Sequence, residues 1–95
     1  MPIVFDSKHI EDKLARRDIT IDDVAECFMN KEGKPLEDMR PQHKTVPPTF
    51  WFISTTDKGR LLKVVFIPKG NTAHIKSAFE VELRDLQKFQ KLQFE

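Results

Sequence analysis

The chain has 95 residues, a third of them charged and 39% apolar, with one cysteine, enough for a single compact domain (1–95) that buries a core without disulfides or a structural metal. Cys27 has no partner for an internal disulfide, no apolar run approaches the roughly 20 residues of a membrane helix, and the N-terminus lacks a secretion signal, so a soluble cytoplasmic protein without membrane attachment is expected. The net charge of +1 hides a polarity: residues 1–40 carry seven basic and ten acidic side chains, residues 41–95 nine and five, an asymmetry that draws a polyanion toward the second half.

Ile3-Val4-Phe5 is a short apolar run suited to a first strand, and Asp6-Ser7 can cap the helix after it. That helix is expected over residues 8–16, with Ile10 and Leu14 as a narrow buried stripe. Thr20-Ile21-Asp22-Asp23 can cap a second helix whose Ile21, Val24, Ala25 and Phe28 recur at one-face spacing. Gly33 and Pro35 end it. Residues 36–40 read as a short edge strand and the Pro-rich stretch 41–48 as an extended connection. Residues 50–55 and 61–67 are rich in β-formers and are joined by Thr56-Asp57-Lys58-Gly59, where the glycine suits a bulged hairpin turn. A second tight connection, 68–71, leads to a strand over 73–78, which makes an antiparallel meander with 61–67 at its centre. From 80 to about 92 the period turns helical, with Leu83, Leu86 and Phe89 directed at the sheet. The fold class expected is α+β: an antiparallel β-meander packed with two N-terminal helices and one C-terminal helix.

In that order of elements, Lys13-Leu14, the run from Thr20 to Phe28, Arg40, His43, Trp51-Phe52-Ile53, Gly59-Arg60-Leu61-Leu62-Lys63-Val64-Val65 and Ile75-Lys76-Ser77-Ala78 carry a resemblance. Over about residues 6–90 the chain resembles the BrnT-type toxins of bacterial toxin–antitoxin systems, small ribonucleases with a RelE-like fold. The pattern departs at Phe79, where the family usually has a basic residue. The resemblance implies a toxin that cleaves RNA without metal or organic cofactor and is inhibited by a partner antitoxin. A second reading is a non-catalytic module of the same fold that binds RNA or an acidic protein. A third, the ADP-ribosyl-dinitrogen-reductase hydrolase label given to small proteins of this appearance, calls for an acidic metal-holding cleft, whereas the acidic residues here scatter over expected helix surfaces.

Metal-independent RNA cleavage needs a base near the 2′-hydroxyl, a proton donor for the leaving oxygen and cations for the phosphate. His43 is a candidate acid or base because imidazole titrates near neutrality. Arg60, after the turn glycine, can grip phosphate with two parallel hydrogen bonds. With Lys76 and, through the resemblance, Ser77, these are the candidate catalytic residues. Lys63, His74, Arg40 and Lys58 are candidate RNA contacts. Strict alternation places His74 and Lys76 on one face of the last strand and Ser77 with Phe79 on the other. Lys63 interrupts an apolar central strand and must reach water or a partner. Each residue also has an ordinary reading: a solvated loop histidine, a hairpin arginine, the wet side of a half-buried strand, a snorkelling lysine, a small core serine. Trp51 between Phe50 and Phe52 suits the core or base stacking, Cys27 suits packing, and the three histidines form no metal motif. An apolar sheet edge also permits homo-oligomers.

Overall fold

The computed structural model describes residues 2–40 and 46–94. Eight elements follow in order: β1 (Ile3–Phe5), α1 (Lys8–Arg16), α2 (Ile21–Asn30), β2 (Leu36–Glu37), β3 (Phe50–Thr55), β4 (Leu61–Lys69), β5 (Thr72–Glu80) and α3 (Leu83–Gln93). The protein is α+β; the described residues form a five-stranded mixed sheet in the order β1-β5-β4-β3-β2 and three helices. Strands β3, β4 and β5 form the expected antiparallel meander with β4 at its centre, β2 adds an antiparallel pair to β3, and β1 pairs with β5 in parallel.

Local chemistry sets the boundaries. The Ser7 hydroxyl accepts from the Ile10 amide to start α1. At α2, Thr20 and Asp23 satisfy each other's backbone N–H in a reciprocal capping box, 3.1 and 2.9 Å. Strand β4 continues through Pro68, opposite Ala73, where the missing N–H costs nothing because the β3 pairing ends at Phe66. The last strand runs to Glu80, opposite Leu62, and the Val81 amide bonds to Leu61 O. The ladder therefore claims residues expected to open the last helix, and α3 begins at Leu83.

One sheet face is dry. Phe52, Leu62, Val64, Phe66, Ala73, Ile75 and Ala78 pack there against Ile10 and Leu14 of α1 and Val24 and Cys27 of α2, all buried. Phe28 meets Phe52 and Phe66 edge-on at ring-centre distances of 4.7 and 5.1 Å. Cys27 joins Val24 in the buried stripe of α2, whereas Ile21, expected there, is exposed. On the opposite face α3 covers only the part over β3 and the near end of β4: Phe89, itself buried, packs on Trp51 at 5.2 Å, while Leu83 faces solvent. Burying Phe89 contributes roughly 1.5–3 kcal/mol. The far end of α3 is tied down by Gln93, whose amide donates to Glu32 O and Lys34 O. Among the described residues no helix covers the rest of this face, where Val4, Lys63, Val65, Ile67, His74, Ser77 and Phe79 are half-buried. Edge strands β1 and β2 have three and two residues, too short to favour strand-to-strand association.

Candidate functional site: a cation and aromatic row on the open sheet face

Arg60 holds the fold together. Its Nε and Nη2 donate to Glu80 Oε1 at 2.9 and 2.6 Å, Nη2 also reaches Arg17 O at 3.1 Å, Nη1 donates to Asp18 O, and Asp23 lies 3.6 Å away. The carbonyls belong to the turn after α1, where Asp18 adopts a left-handed φ of 56° and the helix end exposes negative partial charge. Hydrogen bonding to Glu80 holds the guanidinium above its usual pKa. The phosphate-gripping role expected for Arg60 therefore gives way to a structural one, because its donors are already committed to protein oxygens.

The expected alternation along β5 also fails, and the reason creates the site. Val65 pairs with Ser77 but Phe66 pairs with Ile75, so Lys76 is an extra residue, a β-bulge. From there on the parity reverses. Ser77 and Phe79 lie on the open face opposite Val65 and Lys63, the face His74 occupies on the other side of the bulge, and Ala78 turns into the core. Parallel pairing with β1 covers only residues 73–75 of β5. The exposed edge after it is capped from α1: Lys13 Nζ donates to Lys76 O at 3.1 Å, and Arg17 Nη1 donates to Ala78 O at 2.9 Å and the Ser77 hydroxyl at 3.3 Å. Lys13, Arg17 and Lys76 thus converge beside Ser77. Partial burial, with Arg17 and Lys76 close by, lowers the Lys13 pKa.

A row of alternating charge and ring runs inward from this edge. The Arg17 guanidinium stands 5.8 Å from the Phe79 ring centre, the Lys63 ammonium 5.9 Å from the same ring and 4.4 Å from Trp51, and Trp51 rests on Phe89. These are cation–π distances. Lys63 belongs to the central strand and forms no ion pair among the described residues; burial, and then Arg40, lower its pKa. Lys63 is therefore not the edge residue of the ordinary reading, since β4 is paired on both sides.

The remaining candidates stand apart from this row or outside it. His74 Nδ1 lies 2.8 Å from both Asp6 carboxylate oxygens, tying β5 to the β1–α1 junction. Arg40 is clamped by Asp38 through Nε and Nη2 at 3.0 and 2.9 Å, at the margin of a groove that reaches Lys63. Lys58 is exposed in the β3–β4 turn. His43 lies outside the described residues. Of the eight candidates, Lys76 and Ser77 meet at the β5 edge, Lys63 is linked to that edge through the Phe79 ring, and Arg40 shares a groove with Lys63. Lys13 and Arg17 complete the cluster, and the signal for them was the basic end of the first helix, Lys13, Arg16 and Arg17.

Cys27 is fully buried, its Sγ facing Ser54 O at 3.9 Å, and burial pushes the thiol up to about 12. Among the described residues no group of His, Cys, Asp and Glu is arranged to hold a metal ion, and no helix is long and apolar enough to cross a membrane. Comparison of the chain with protein-family models, curated proteins and solved structures returned no match.

Proposed function

We propose that the protein is a toxin-like, RNA-engaging member of the BrnT-type, RelE-like class, which binds single-stranded RNA across the open sheet face and is restrained by a partner antitoxin in the cytoplasm. The observation that carries this reading is the row from Arg17 through Phe79 and Lys63 to Trp51, headed by Lys13 and Lys76. Cations that track phosphates, interleaved with rings that accept unpaired bases, are what single-strand binding requires. Phe79, the departure from the family pattern, lies between two cations brought from α1 and β4, so the positive charge absent from its own side chain is supplied from elsewhere in the fold.

A second reading adds metal-independent cleavage, and Lys13 favours it. Burial and neighbouring cations lower the Lys13 pKa, which helps its amine take the 2′-hydroxyl proton, with the Lys76 ammonium to protonate the leaving 5′-oxygen and Arg17 to offset charge on the phosphate. End-labelled single-stranded RNA incubated with the protein in excess chelator tests both readings. Fragments ending in 2′,3′-cyclic phosphate that disappear with Lys13→Ala and Lys76→Ala support cleavage. RNA that is bound yet intact supports a binding module, and RNA neither bound nor cut removes the proposal.

A further inference from the structure

Between β2 and the end of α3 lies an open groove whose head is Lys63, the same residue that ends the cationic row. Leu36 and Met39 form one wall, Leu92 the other, Trp51 the floor, and Arg40 sits at the margin. Its volume, about 690 Å³, is in the range of small-ligand sites. Met39 and Leu92 are 59% and 47% exposed, apolar walls left open to water. Beside the groove, Gln93 pins the 32–34 loop to the end of α3.

We propose that this groove is a base subsite: it takes one unpaired nucleobase of a single-stranded RNA, with Lys63 pairing the phosphate of that nucleotide. The inference rests on the RNA-binding reading and specifies where sequence is read. Three observations argue for a nucleotide as the occupant. First, the groove continues the cationic row without a break, because Lys63 and Trp51 belong to both; β5 and β3 are two strand spacings apart, about 9.6 Å, which an extended RNA strand covers within a few nucleotides. Second, Lys63 presents a half-buried ammonium with no carboxylate within ion-pair distance among the described residues, above an indole and at the mouth of an apolar slot. A nucleotide, whose planar base is joined through ribose to an anionic phosphate, matches that pairing. Third, Arg40 spends Nε and Nη2 on Asp38, which neutralises the nearest carboxylate, and keeps Nη1 without a protein acceptor among the described residues. Nη1 is thereby a donor for acceptor atoms on a base edge. The exposed Glu37, also lining the groove, disfavours a second phosphate there, so the slot takes the base and Lys63 the phosphate.

Trp51 is the single tryptophan and the chain has no tyrosine, so intrinsic fluorescence reports on this groove. The full chain is titrated with a short labelled single-stranded RNA and with the same strand carrying an abasic ribose at each position in turn. Label anisotropy follows binding and Trp51 emission follows the groove. Expected is quenching that tracks binding, with one abasic position at which quenching is lost and affinity falls roughly tenfold, the effect of one stacked base. Leu92→Asp and Met39→Asp, at exposed positions, should reproduce that loss without moving the thermal unfolding midpoint. RNA that binds with unchanged Trp51 emission and equal affinity for every abasic strand overturns the base subsite and leaves the RNA-binding reading standing. Failure to bind any strand overturns both.

Discussion

The Lys63 ammonium and the Trp51 indole, on neighbouring strands β4 and β3, lie 4.4 Å apart, so a cation in the middle of a sheet is held by a ring rather than by a carboxylate. Burial lowers the Lys63 pKa, which means that the fold disfavours its charged form. As pH rises through that lowered value toward the ordinary lysine range, the native state gives up the proton before the unfolded chain does. Stability therefore increases across that window while RNA affinity declines. Lys63→Met removes the desolvated charge and keeps the stem: unfolding in urea should show equal or greater stability, and RNA affinity should drop severalfold.

Arg60→Ala removes the donors that serve Arg17 O, Asp18 O and Glu80. Charge-assisted hydrogen bonds at a partly exposed site support a loss of about 2 kcal/mol, read from the urea midpoint. Arg60→Lys should recover little, because one ammonium cannot span the turn carbonyls and Glu80 together. RNA affinity measured well below the unfolding transition should stay within twofold of the parent for both variants.

If the proposed RNA binding holds, Lys76 at the β5 edge serves phosphate alone, whereas Arg17 also caps the strand. Lys76→Ala should leave thermal unfolding unchanged and lower the salt dependence of RNA binding by about 0.7 in log–log slope, the value for one phosphate contact to a single strand. Arg17→Ala should do the same and also destabilise modestly, because Ala78 O loses its donor.

Cys27, with its thiol raised to about 12, should resist alkylation in the native state at mildly alkaline pH and react at once in denaturant. The unfolded thiol ionises near its reference value of about 8.5, so its contribution to stability is intact below that pH and is lost as pH climbs toward 12. Cys27→Ser should abolish that part of the alkaline fall, seen as a flatter plot of unfolding midpoint against pH.

Elements with strong local signatures were legible in the sequence. Ser7 and Thr20 mark their helices, aromatic and β-branched residues mark β3, and Gly59, at φ 88°, turns the hairpin as expected. The parallel pairing of β1 was not legible, since three apolar residues carry no information about their partner. Nor was the bulge at Lys76, because alternation is assumed until a ladder breaks it. The site was half legible for the same reason. Lys63 is conspicuous within an apolar strand, whereas Lys13 and Arg17 resemble a solvated helix end until a chain return of 63 and 60 residues sets them against β5. Arg60 misled because a guanidinium after a turn glycine has the same local pattern whether it serves phosphate or a helix terminus.

The bulge separates two demands that a regular strand would force together. In a strict ladder every residue on β5 is either packed or presented, and adding a lysine displaces a neighbour from one duty to the other. Lys76 is supernumerary: Ile75 and Ala78 keep their places in the core on either side of it. This position is therefore free to drift among side chains, or to acquire new chemistry, while the packing of the domain remains indifferent to the change.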